Sequence, residues 1–152
     1  MDLRALNQPL AGLLRFTYSM FRPPRPQTVS EWADENRILV SDSSSEPGPW
    51  RTDRAPYQRE IMDAFTQPGI YEIVIMASAQ VGKSEIELNM MGRAMDNDPG
   101  PMLYVQPTDK VAEDYSKRRI APMIAACPTL RDKVYKAKGR DAANTITMKT
   151  FP

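Results

Sequence analysis

Residues 73–84 read IVIMASAQVGKS, and no other stretch constrains the fold as strongly. A short apolar run (Ile73, Val74, Ile75, Met76) enters a small-residue turn (Ala77, Ser78, Ala79), which closes on Gly82, Lys83 and Ser84 before a helical pattern begins. Strand, loop and helix in that order are what a cradle for nucleotide phosphate requires. The helix N-terminus presents free N–H groups and the positive end of the helix dipole, so a loop there can surround an anion. The usual pattern is G-x-x-x-x-G-K-[ST]; here the segment from Ala77 to Ser84 reads ASAQVGKS, with Ala77 in place of the first glycine. The candidate cradle comprises Ser78, Ala79, Gln80, Val81, Gly82, Lys83 and Ser84. Lys83 would reach the β- and γ-phosphates, Gly82 permits close backbone approach, and the Ser84 hydroxyl would ligate Mg²⁺. The competing reading is a helix start that carries a chance Gly-Lys-Ser tripeptide.

A chain of 152 residues is about one domain. Its net charge of +1 is too near neutral to argue by itself for a nucleic-acid partner. With no histidine and one cysteine, Cys127, the chain excludes a Cys/His zinc site, a Ser-His-Asp triad and an internal disulfide, and a reducing compartment is expected. No run approaches the roughly 18 apolar residues of a membrane span. Residues 10–20 are broken by Arg15, Thr17 and Ser19, unlike a signal peptide.

In chain order, Leu6, Leu10, Leu13, Leu14, Tyr18 and Phe21 have helical spacing over residues 5–21, and a stiff basic spacer, RPPRP, follows. Thr28 and Glu31 fit a capping box that opens a helix of about ten residues carrying Trp32. Residues 41–55 form a long Ser/Pro/Gly loop containing Trp50, and mark the boundary between an N-terminal helical arm (1–55) and the domain that follows (56–152). Pro56 opens a helix with a Tyr57, Ile61, Phe65 stripe. Strands are expected at 70–76, 102–106 and 144–149, and helices from about Gly82 to Asn97 and after Pro107-Thr108, the latter interrupted by Pro122. On the first of these helices Ile86, Met90 and Ala94 face one way, with Leu88, Met91 and Met95 beside them. Tyr57 and Gln58 precede the phosphate-loop strand; an aromatic ring stacks on adenine and a glutamine amide pairs with its edge. Equally, Tyr57 suits a helix core and Gln58 a solvated surface.

These residues carry a resemblance. PYQRE (56–60), SAQVGKS (78–84), QPT (106–108) with AEDYS (112–116), Trp32-Ala33 and PGPW (47–50) resemble the large terminase subunit of tailed phages, in its lambda-like branch, along essentially the whole chain. The resemblance implies an ATP-driven DNA-packaging motor with an ASCE-type P-loop ATPase domain followed by a metal-dependent endonuclease domain. The implied fold is α/β: an incomplete three-layer α/β/α sheet preceded by a helical N-terminal arm. Tyr57 and Gln58 match the family's adenine-binding motif, and Gly82, Lys83 and Ser84 its Walker A, with ATP and Mg²⁺ as cofactors and Lys83 as the catalytic cation. Basic residues placed early in the family's variant Walker A have no counterpart at Met76, Ala77 or Ala79. The implied partners are double-stranded viral DNA, the small terminase subunit through the N-terminal arm, and the portal of the procapsid. The implied place is the host cytoplasm, with no membrane.

Hydrolysis also needs a carboxylate for the Mg²⁺ shell and one to orient water. No apolar run in the sequence ends in Asp-Glu; Glu85 and Glu87 read as helix charge and solvation, and Asp141 precedes its strand. The expectation is an N-terminal fragment or truncated prophage remnant whose isolated form is inactive and leaves apolar sheet surface bare. A helicase-like ATPase, a small-molecule kinase and a non-catalytic docking module remain as alternatives. DNA contact by Lys117, Arg118 and Arg119, or by the basic residues of 131–140, stands against an ordinary solvated face.

Overall fold

The structure is a computed structural model and is described over residues 26–41, 46–134 and 145–151. The expected helix at 5–21, the RPPRP spacer before Pro26 and most of the basic segment 131–140 lie outside these residues.

Helix α1 (Val29–Asn36) begins where the sequence places it. The Thr28 hydroxyl accepts the Glu31 N–H at 3.3 Å and Glu31 Oε2 accepts the Thr28 N–H at 3.1 Å, so the capping box is complete. Arg37 leads into β1 (Ile38–Leu39), which pairs antiparallel with β2 (Gly48–Pro49) in the register Ile38↔Pro49, Leu39↔Gly48. A 3₁₀ turn (Thr52–Arg54) precedes α2 (Tyr57–Ala64), and α3 (Lys83–Asn97) follows the phosphate-loop candidate. Helix α4 (Asp109–Tyr115) runs through a π-helical turn (Ser116–Ile120) into α5 (Ala121–Ala126) and the short α6 (Pro128–Arg131). The π turn explains how the helix passes Pro122. The Ala121 N–H bonds five residues back to Ser116 O, widening the turn just before a residue with no N–H to give.

The core forms where α1, α2 and α3 meet. Val29, Trp32, Ala33, Trp50, Met62, Ile86, Leu88 and Met95 share one buried cluster with Met123, Cys127 and Leu130. Fully burying a side chain such as Leu88 contributes roughly 1.5–3 kcal/mol, so this contact between helices outweighs any helix propensity term. Polar bonds fix the register. Ser30 N and Oγ both donate to the Asp63 carboxylate at 2.9 Å, and Trp32 Nε1 donates to Asp96 Oδ2 at 2.7 Å. Trp32, before the 41–55 connection, and Trp50, within it, both lie in the buried cluster with Ile86, Leu88 and Met95 of α3.

Two expectations change here. The buried face of α2 is Gln58 and Met62, one residue along from the expected Tyr57, Ile61, Phe65 stripe; Tyr57 and Phe65 are 58% and 44% exposed. Helix α2 turns this face to α3, where Asn89 Nδ2 meets Met62 Sδ at 3.4 Å.

The second correction concerns the sheet. Among the described residues β1 and β2 are the one pairing, and segments 70–76 and 102–106 carry no ladder. Segment 145–149 bends locally, with Thr145 N–H bonded to Met148 O at 2.9 Å, in place of the expected third strand. The physical reason is the missing ladder: a strand is defined by the partner that takes its N–H and C=O groups, and no described segment pairs with these. Their side chains nonetheless alternate. Ile73, Ile75 and Tyr104 are half-buried, while Val74, Met76, Leu103 and Val105 are 81%, 97%, 89% and 75% exposed. One face packs on the helices and the other is a bare apolar surface, as the sequence leads one to expect. The mixed helical fold is compatible with an α/β ATPase domain.

Candidate phosphate-loop site

The loop between segment 70–76 and α3 is shaped by three backbone features. Gln80 and Gly82 have φ of 60° and 83°, in the left-handed region, and Gly82 caps α3 without any side-chain hydrogen bond. A Cβ at Gly82 would lie 2.5 Å from Gln58 Nε2, so both the dihedral and the neighbour demand glycine. None of the backbone N–H groups from Ser78 to Ser84 has a hydrogen-bond partner among the described residues. Those of Lys83 and Ser84 belong to the first turn of a 15-residue helix, at the positive end of its dipole.

Each residue singled out by the sequence lies at this loop. Tyr57 Oη and Gln58 Nε2 each donate to Val81 O at 3.0 Å. The Tyr57 ring is 58% exposed, whereas Gln58 is buried and its Oε1 has no partner. Lys83 Nζ folds back onto the loop carbonyls of Ala77 and Ser78, at 3.0 and 2.5 Å. The Ser84 carbonyl accepts from Tyr115 Oη at 3.5 Å, and its hydroxyl makes no bond among the described residues. Ser78, Ala79 and Gln80 are exposed; Val81, Gly82, Lys83 and Ser84 are half-buried.

The residues present fit a nucleotide phosphate chain. Open N–H groups, a lysine, and a glycine with no room for a Cβ make an anion cradle, and the Ser84 hydroxyl is available to a cation. Among the described residues no group of three His, Cys, Asp or Glu side chains is placed to hold a metal ion.

The two glutamates after the loop are not solvated as the sequence suggested. Glu85 binds Arg37 Nη2 at 2.8 Å and Arg119 Nη1 at 3.3 Å, joining the segment after α1 and the π turn to the first turn of α3. Arg37 is 3% exposed and also donates to Ile38 O at 2.9 Å. Nothing local marks Arg37 as a partner, since it stands 48 residues before Glu85. Glu87 accepts the Tyr104 hydroxyl at 2.6 Å, and the Tyr104 ring stacks on Tyr115 with centroids 4.9 Å apart. Burial, then the bond to Glu87, pushes the Tyr104 phenol well above its ordinary value; burial raises Tyr115 as well. The basic cluster is partly spoken for: Lys117 pairs with Glu113 at 3.0 Å and Arg119 with Glu85. No helix among the described residues is long and apolar enough to cross a membrane.

A long helix entered through a glycine-lysine-serine loop is compatible with an ATPase domain, the class that the family comparison names. The chain belongs to the phage terminase large subunits: residues 44–152 match the family of phage terminase large subunit gpA, ATPase domain. It is 38% identical over 135 residues to the terminase large subunit of Escherichia phage lambda, covering 88% of this chain and 20% of that protein. It is 32% identical over 130 residues to the terminase large subunit of Enterobacteria phage P21, covering 84% of this chain and 20% of that protein. The chain thus spans about a fifth of the length of these relatives. No solved structure matches.

Proposed function

We propose that the chain is the ATP-binding part of a DNA-packaging motor, in which ATP hydrolysis drives viral DNA into the procapsid. The observation that carries this reading is the run of open N–H groups from Ser78 to Ser84 at the N-terminus of α3, in a chain of the terminase family. Bound ATP with Mg²⁺ supplies the scissile phosphate and its charge-neutralising cation. The loop N–H groups would hold the β- and γ-phosphate oxygens. Lys83 would leave Ala77 O and Ser78 O for the γ-phosphate, and the Ser84 hydroxyl would ligate Mg²⁺. The exposed Tyr57 ring offers a stacking face for adenine, and the unpartnered Gln58 Oε1 offers an acceptor for its amino group.

Glu85 and Glu87 are held by Arg37, Arg119 and Tyr104, and neither takes part in water activation or the Mg²⁺ shell in this reading. The domain reading is an N-terminal arm over 1–55 and an ATPase part over 56–152, with an ASCE strand order and an endonuclease domain in the whole protein. The arm is the proposed dock for the small terminase subunit, the portal is the proposed site of assembly, and the host cytoplasm the proposed compartment. The test is titration with fluorescent ATP, with and without Mg²⁺, against wild type and Lys83→Ala. Loss of at least tenfold in affinity is expected; equal affinity counts against the proposal.

A further inference from the structure

The phosphate-loop candidate is fastened to α2 through one carbonyl. Tyr57 Oη and Gln58 Nε2 both donate to Val81 O, each at 3.0 Å, and so occupy both lone pairs of that oxygen. In a trans peptide the C=O and N–H of one unit point in opposite directions. Holding Val81 C=O against α2 therefore turns the Gly82 N–H away from it. That N–H is one of the open donors of the loop. The flanking geometry leaves little alternative: Gly82 sits at φ 83°, and the Gln58 amide occupies the place its Cβ would take.

Tyr57 meanwhile has two separate ends. Its hydroxyl is engaged by the loop, and its ring is 58% exposed. A residue that served a base alone would not need to spend its hydroxyl on the loop backbone, and Gln58, only 4% exposed, has its donor committed in the same way.

We infer that Tyr57 and Gln58 are positioning residues for phosphate: their two donors orient the Val81–Gly82 peptide so that its N–H faces the bound anion. This rests on the nucleotide reading above and adds to it a role independent of any base. The Gln58 Nε2 bond remains when the Tyr57 hydroxyl is removed, and the reverse holds, so each variant weakens the orientation without abolishing it.

The discriminating probe is inorganic tripolyphosphate, which has the phosphate chain and no base, titrated calorimetrically into the full chain. Wild type should bind it, and Lys83→Ala should bind it at least tenfold more weakly. Tyr57→Phe keeps the ring and removes one donor; Gln58→Met keeps the length of the side chain, adds no charge and removes the other. Each should weaken tripolyphosphate by roughly threefold to tenfold, the effect of one net hydrogen bond, with the far-ultraviolet circular dichroism of wild type. Unchanged tripolyphosphate affinity in both variants, with Lys83→Ala still impaired, overturns this inference alone. Loss of binding together with loss of the helical spectrum in both variants marks a merely structural role and overturns it as well. Wild type that ignores tripolyphosphate, or a Lys83→Ala variant that binds it equally, overturns the nucleotide reading and this inference together.

Discussion

The Trp32 indole lies directly over Gly92: a Cβ built on Gly92 would fall 2.3 Å from Trp32 Cη2 and 2.7 Å from Cζ3. Glycine in a helix interior ordinarily costs about 1 kcal/mol relative to alanine, yet here it is what lets α1 close onto α3. The indole cannot retreat, because its Nε1 is bound to Asp96 at 2.7 Å on the same helix.

Gly92→Ala should therefore destabilise. Overpacking of a closed core costs roughly 1–3 kcal/mol, which exceeds the propensity gain at its upper end. A urea unfolding series should show a lower midpoint than wild type. A raised midpoint would mean that α1 sits less tightly on α3 than these distances imply.

Removing the charge at Glu85 should cost more than a surface ion pair does. Arg37 is almost wholly buried, so Glu85→Gln strands its guanidinium, a change typically worth about 3–5 kcal/mol when a buried partner is lost. Arg119, a third exposed, adds little beyond that. Arg37→Met in the Glu85→Gln background should restore part of the loss, read as thermal midpoints of the four proteins in a double-mutant cycle. Independent, additive effects would count against the pairing.

The Tyr104–Tyr115 pair gives the fold an alkaline limit. Both phenols titrate higher when folded than when unfolded, through burial first. Below pH of about 10 both states keep these protons and the term is fully present. Above it the unfolded chain loses them first, binds fewer protons, and stability falls as pH rises. Replacing both tyrosines with phenylalanine should flatten the decline in melting temperature between pH 9 and 11. An unchanged slope would place the origin elsewhere.

The bare face at Val74, Met76, Leu103 and Val105 should drive self-association of the isolated chain. Val74→Lys with Leu103→Lys should shift light-scattering mass toward the monomer without altering ATP binding, since neither residue touches the loop. A wild-type chain that elutes as a monomer with a cooperative melt would contradict this.

Local chemistry was legible in the sequence wherever the determinants were neighbours in the chain. The Thr28–Glu31 box, the Thr108 cap on Val111 and the Gly82-Lys83-Ser84 entry into α3 all follow from residues within a few positions of each other. What was not legible depends on partners far apart. The α2 face shifted to Gln58 and Met62 because α3 and the Val81 carbonyl stand on that side. The extended segments did not become strands because a ladder belongs to two segments, and periodicity describes one. Glu85 looks solvated in sequence because Arg37, which binds it, reaches it only through the packing of α1.

The grip of Lys83 on its own loop has a consequence for any measurement of affinity. With Nζ already bonded to Ala77 O and Ser78 O, an arriving phosphate does not meet a free cation. It competes with two carbonyl oxygens for the same ammonium, and those oxygens must then be rehydrated. In the proposed function, nucleotide capture is thus an exchange reaction whose apparent dissociation constant is the intrinsic one divided by the fraction of chains in which Lys83 is released from its loop. Loop variants that loosen that state will bind more tightly even where they add no contact to the ligand.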